Sequence, residues 1–216
     1  MFPFLHPTTI MLAGPTGCGK TQLLVRALRE RMIEPFPERI VWVFAEWQPA
    51  YEVLVADTSL PTIEFIKGFN DELYETFNVK SRNLLVLDDQ MENANAHRKS
   101  ASITKYFTQG SHHRNLTVIY IVQNLFSQQA TTRTISLNSH YLITFKNMRD
   151  RAQVGHLAQQ MYPNNRRFLM EAFIDATSIP YGYLVIDVHP TTFDDYRIRS
   201  DIFNTNPSPA FYVPRI

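Results

Sequence analysis

The chain has 216 residues, 44% of them apolar, and a formal net charge of +1. That is enough apolar material for one sizeable core, and it gives no strong global field to steer nucleic acid, so any basic contact surface is local or assembled from several subunits. A single cysteine, Cys18, excludes an intrachain disulfide and a cysteine-built zinc site and fits a reducing compartment.

The opening MFPFLHPTTIML has neither the charged n-region nor the long apolar stretch of a secretory leader, and no later run is long enough to span a membrane. Residues 8–13, TTIMLA, are β-branched and apolar and predict a buried strand ending at Gly14. Leu24, Ala27, Leu28 and Met32 recur on a helical period, so a helix is expected from Thr21 to Met32, stopped by Pro35 and Pro37. Residues 39–45, RIVWVFA, predict the next strand and 62–66 a weaker one, followed by a short amphipathic helix over Asp71–Phe77. NLLVLD, 83–88, is an apolar strand with an acid at its end. A helix over 98–108 and strands over 116–123 and 140–146 follow. Val154, Leu157, Ala158 and Met161 share one helical face, and Phe168, Leu169, Ala172, Phe173 and Ala176 share another. GYLVIDV, 182–188, predicts a last strand, and the tail 204–216, with Pro207, Pro209 and Pro214, is expected to be extended. Near-continuous apolar strands alternating with helices predict an α/β domain over 1–203, with a mainly parallel sheet covered by helices on both faces.

Gly14-Pro15-Thr16-Gly17-Cys18-Gly19-Lys20-Thr21 fits G-x-x-x-x-G-K-[ST] in full, after a predicted strand and before a predicted helix. In that context the glycines let backbone N–H groups turn towards phosphate oxygens, and the helix N-terminus adds its positive dipole end. Lys20 is expected to reach the β- and γ-phosphates of ATP and Thr21 to hold Mg²⁺ through its hydroxyl. Of seven glycines in the chain, Gly14, Gly17 and Gly19 fall in this octapeptide, which argues against a chance turn. Cys18 occupies a free position as a small filler, with its thiol expected inside the phosphate cradle.

Asp88 and Asp89 end an apolar strand, where a parallel sheet faces its ligand crevice. Asp88 is the expected support for Mg²⁺, and Asp89 the group that holds the attacking water and takes its proton. An exposed aspartate turn is the plain alternative. Gln123, at the end of the next strand, is a candidate sensor of the γ-phosphate, with strand-end capping as the alternative.

GPTGCGKT, LLVLDDQ, FTQGSHHRNLTVIYIVQNLF, SLNSHYLITFKNMRDRAQVGHLAQQMYP and PYGYLVIDV together resemble the poxvirus-type genome-packaging ATPases of the FtsK/HerA superfamily, and among them the branch of Polinton/Maverick elements and related small DNA viruses. The resemblance covers roughly residues 8–190. It implies a P-loop NTPase that threads viral double-stranded DNA into a capsid as a homo-oligomeric ring, docked on a capsid or portal-like protein, at assembly sites inside the host cell. It also implies Asp89 as the catalytic acid, although many relatives carry Glu there, one methylene longer. Ring motors complete each site with a neighbour's arginine; Arg133, in the polar segment QQATTRT, is the first candidate, ahead of Arg149, Arg151 and Arg114. A nucleotide or polynucleotide kinase, with Arg149 and Arg151 as a phosphate-clamping lid, and a nucleotide-bound assembly subunit with little turnover are the alternatives. A GTP-dependent switch lacks its N-K-x-D segment.

Overall fold

The computed structural model describes residues 2–89, 103–125, 130–149, 151–203 and 209–215. In chain order these form β1 (Phe4–Leu5), β2 (Thr9–Ala13), α1 (Lys20–Arg29), β3 (Ile33–Glu34), β4 (Arg39–Phe44), α2 (Ala50–Val55), β5 (Ile63–Lys67), β6 (Asn83–Asp88), β7 (Leu116–Val122), α3 (Ala130–Leu137), β8 (Tyr141–Phe145), α4 (Ala152–Met161), α5 (Arg166–Ala176), β9 (Tyr183–Asp187), β10 (Ile198–Ser200) and β11 (Ala210–Tyr212). A 3₁₀ helix, Asp71–Thr76, stands where an amphipathic helix is expected. The helix expected over 98–108 lies partly outside the described residues; Tyr106–Gly110 form a π-helical turn that runs into a helical turn at Ser111–His113.

The main sheet has the order β11-β10-β9-β8-β2-β7-β6-β4-β5. The strands from β5 to β8 are parallel, and β9, β10 and β11 extend that edge antiparallel. Ala210–Tyr212, within the segment expected as an extended tail, thus pair with β10. The apolar strands are buried on both faces, and their alternate residues part into two clusters. Met11, Val41, Leu85 and Val118 face Ile103, Tyr106, α4 and α5. Ile10, Leu12, Ile40, Trp42 and Ile119 face α1 and α2. Trp42, Leu85 and Val86 are fully buried, each contributing on the order of 1.5–3 kcal/mol of transfer free energy.

Two expectations change. α1 ends at Arg29, short of Met32, because Arg31 turns into a left-handed conformation (φ 52) and Met32 N–H bonds back to the Ala27 carbonyl. The chain released there makes the small β1–β3 ladder. Arg133 lies on α3 rather than in a loop: Ile135, 2% exposed, anchors that helix despite its polar sequence.

The order places β7 between β2 and β6. The C-terminal ends of these parallel strands lie on one edge of the sheet, with β2 and β6 two strand spacings, about 10 Å, apart. Successive strands lie on opposite sides of β2, and a ligand crevice is expected at such a switch point.

Candidate active site

β2 delivers the chain into the glycine loop, where Gly14 N–H extends the ladder to the Val122 carbonyl at 3.2 Å. A Cβ on Gly14 would stand 2.8 Å from Cys18 Sγ and 2.8 Å from Phe145 Cβ, so this position has no room for a side chain. Gly19 holds φ 102 immediately before α1, a conformation that suits glycine. Lys20 Nζ donates to the carbonyls of Gly14 (2.6 Å) and Pro15 (3.0 Å), which fixes a nearly buried ammonium at the loop. Thr16, Gly17, Gly19, Lys20 and Thr21 line a cleft of about 630 Å³. Cys18 fills space in the loop and is absent from the lining of that cleft. Its thiol packs into the space left by Gly14 and faces a smaller cavity of about 290 Å³ beside Lys146 and Gly182. Burial pushes the thiol pKa up, with Lys20 pulling it back.

Asp88 and Asp89 reach the same cleft. Asp88 is 2% exposed; its Oδ2 accepts a 2.7 Å hydrogen bond from the Tyr51 hydroxyl, and Thr21 also hydrogen-bonds to its carboxylate. Burial raises the Asp88 pKa, Tyr51 counters it, Asp89 adds repulsion, and Lys20 and Thr21 act to lower it. A hydroxyl in contact with a buried carboxylate, beside a phosphate loop, is a hard-oxygen set that suits Mg²⁺, which takes one or two protein oxygens and completes its shell with phosphate and water. Asp89 is half-buried, with φ 50. That strained left-handed backbone turns the chain at the strand tip.

Gln123 is exposed and lines the cleft at the tip of β7, between the loop and the acids. Lys20, Thr21, Asp88, Asp89 and Gln123 thus converge on one space. The four candidate arginines lie outside its walls; the arginine among the described lining residues is Arg26. Arg114 is committed to an ion pair with Glu75 and lies over the Tyr74 ring. Arg133 is exposed on α3, and the Arg151 guanidinium meets Met148 Sδ.

Tyr51 is the functional neighbour that sequence reasoning missed. It sits on α2, a short helix without a strong periodic signature, stacked on Phe65 with centroids 5.6 Å apart. The cleft also extends beyond the motif to Arg26, Tyr181, Tyr183, Asp201 and Phe203. No short-range pattern joins those positions; β9 and β10 bring them together.

No family model matches the chain. Packaging protein 1 of human adenovirus C serotype 5 is 21% identical over 247 aligned positions, covering 94% of this chain and 52% of that protein. The chain therefore spans about half the length of this curated relative. Among solved structures, B204, the DNA-packaging ATPase from Sulfolobus turreted icosahedral virus, superimposes with a TM-score of 0.54 at 10% identity, over 100% of both chains. The genome packaging NTPase B204 from Sulfolobus turreted icosahedral virus 2, in complex with AMPPCP, gives a TM-score of 0.52 at 12% identity, over 97% of this chain and 98% of that one. At such identities the likeness establishes the fold: a P-loop NTPase α/β domain with a mainly parallel sheet.

Proposed function

We propose that the chain is an ATP-hydrolysing motor subunit that packages viral double-stranded DNA into a capsid. The observation that carries this is the convergence of Lys20, Thr21, Asp88, Asp89 and Gln123 on one cleft at the tips of β2, β6 and β7. The near full-length likeness to B204 and the relation to an adenovirus packaging protein support the same function.

The glycine loop and Lys20 bind the β- and γ-phosphates of ATP. Thr21 and Asp88 would hold Mg²⁺, which neutralises charge on the phosphate oxygens when bound. Asp89 orients a water towards the γ-phosphorus and accepts its proton as the new P–O bond forms and ADP departs. Gln123 hydrogen-bonds the γ-phosphate or that water. Arg133 acts from a neighbouring subunit of a ring, the arrangement characteristic of the FtsK/HerA superfamily and its poxvirus and Polinton/Maverick packaging branches. A net charge of +1 leaves DNA contact to local groups in such a ring. The chain then works at virus assembly sites in the host cell, docked to a capsid or portal-like protein.

The test is ATP turnover with and without double-stranded DNA, alongside the assembly's mass by light scattering. DNA-stimulated phosphate release from an oligomer is expected. Turnover that requires a nucleoside acceptor would overturn the motor assignment in favour of a kinase.

A further inference from the structure

The cleft is larger than a phosphate site needs, and its far end is built differently. At the loop its walls are glycine, lysine, threonine and aspartate; from Tyr181, which borders the loop, this end runs on to Arg26, Tyr183, Asp201 and Phe203. Arg26 follows Lys20 by six positions on α1, about 9 Å along the helix axis. Its guanidinium lies 4.3 Å from the centre of the Phe203 ring, which fastens the segment after β10 against α1. Tyr183 joins the same wall: its hydroxyl accepts from Ile202 N–H at 3.1 Å, and its ring meets Phe203 edge to face at 6.4 Å.

Besides Arg26, which is exposed and ion-paired with Glu30, two residues in this wall remain turned to solvent. Tyr181 is 72% exposed, yet its ring is held against the phosphate loop, 3.2 Å from where a Cβ on Gly19 would lie. Asp201 is exposed and forms no ion pair among the described residues. Both adopt left-handed backbone, with φ 60 at Tyr181 and φ 53 at Asp201. Non-glycine residues carry a conformational cost there, and such costs concentrate where a side chain must be aimed. The Asp201 carboxylate is near enough to the Tyr183 hydroxyl to add to the upward pKa shift that burial imposes on that phenol.

We infer that this end of the cleft is a base-binding subsite for a purine carrying an exocyclic amino group, with Tyr181 as the stacking face and Asp201 as the acceptor of the amino hydrogens. An aromatic face offers stacking to any base. A carboxylate has only acceptors, so it rewards a base that presents N–H groups and leaves an unpaired charge against one that does not. Adenine satisfies it through its C6 amino group, and guanine does so when turned to present N1–H and its C2 amino group; unsubstituted purine does not. The subsite lacks the N-K-x-D segment of guanine-specific switches, and the amino group is the feature it reads. This inference rests on the proposed nucleotide function of the phosphate loop.

Competitive displacement of a fluorescent ADP analogue, in Mg²⁺, separates the two. The competitors are ATP, GTP, purine riboside triphosphate and inorganic tripolyphosphate. The wild-type chain is expected to bind ATP and GTP at least about tenfold more tightly than purine riboside triphosphate, the effect of one hydrogen bond to a charged group. Asp201→Gly keeps the left-handed backbone without strain, and should bring ATP and purine riboside triphosphate within about twofold of each other. Tyr181→Asn, also tolerant of that backbone, should weaken both by about tenfold and leave tripolyphosphate unchanged. A tenfold preference that survives in Asp201→Gly overturns the role of Asp201. Equal wild-type affinities for ATP and purine riboside triphosphate overturn the selectivity. If Lys20→Ala leaves tripolyphosphate and ATP binding untouched, the nucleotide function itself fails, and the base subsite with it.

Discussion

β6 reads NLLVLD and β9 reads YLVID, so each is a buried apolar strand that ends on an aspartate, and Asp88 and Asp187 are 2% and 3% exposed. Asp187 is fully accommodated by its own fold. Its Oδ2 receives Arg199 Nη1 at 2.9 Å, and its Oδ1 accepts from His189 N–H and the Thr192 hydroxyl, both at 3.0 Å. Asp88 has hydroxyl partners, Tyr51 and Thr21, and burial drives its pKa up while Tyr51 and Lys20 pull it down. The strand directions explain the split. β6 is parallel to the loop strand and ends at the cleft, while β9 runs antiparallel and ends on the opposite edge of the sheet. A strand that ends in aspartate therefore marks a site only when the topology brings that end beside the phosphate loop.

Hydrolysis gives the largest contrast. Asp89→Asn should keep ATP binding and slow turnover by about 10²–10⁴-fold, the range for removing a general base; phosphate release in single-turnover mixing measures it. Asp187→Asn should leave turnover per folded molecule unchanged. Equal losses from the two would mean that Asp89 serves only the turn it occupies. Stability gives the converse result. Arg199→Ala strands a buried carboxylate and should cost about 3–5 kcal/mol in urea unfolding, whereas Arg199→Met paired with Asp187→Asn should recover most of that loss.

Asp88→Asn sharpens the comparison by changing sign. The folded pKa of Asp88 is raised, so its contribution to stability is fully present below the unfolded carboxyl pKa, near 4, and is lost as pH rises through the folded pKa. Removing the charge should therefore raise Tm at pH 7 by a few degrees, and the gain should vanish below about pH 4. Mg²⁺-dependent nucleotide binding should fall at the same time. A lower Tm at pH 7 would mean that the ionised carboxylate is part of the structural framework, as at Asp187.

Much of this was legible in the sequence because it is written in short range. The octapeptide, the acid pair and the apolar strands are local patterns, and β2, β4, β6, β7 and β8 lie within a residue or two of their expected places. What escaped depends on contacts between distant segments. β10 and β11 are short strands whose pairing exists only once β9 is in place. α3 is polar in sequence and held by Ile135, so Arg133 reads as a loop residue. The Cys18 thiol packs where Gly14 leaves it room, 4.0 Å from Lys20 Nζ. Tyr51 meets Asp88 across 37 positions, and nothing in either local stretch announces the other.

Tyr51 supplies the smallest and most specific of these tests. Its hydroxyl is the donor to Asp88 Oδ2 at 2.7 Å, and its ring is wedged among Trp42, Trp47 and Phe65. Tyr51→Phe keeps the ring and its packing and deletes one oxygen, so stability should change by no more than about 1 kcal/mol. Asp88 loses a hydrogen bond that holds one of its oxygens and steadies its charged form, which leaves the carboxylate harder to ionise and freer to rotate. The Mg²⁺ concentration at half-maximal nucleotide binding should then rise by about tenfold, the low end for losing a partner that orients a metal ligand, while saturating Mg²⁺ restores turnover. Titration of Mg²⁺ at fixed nucleotide, read by displacement and by phosphate release, separates the two. An unchanged Mg²⁺ midpoint would make Tyr51 a packing residue. A turnover defect that saturating Mg²⁺ does not restore would place its effect on the water held by Asp89 instead.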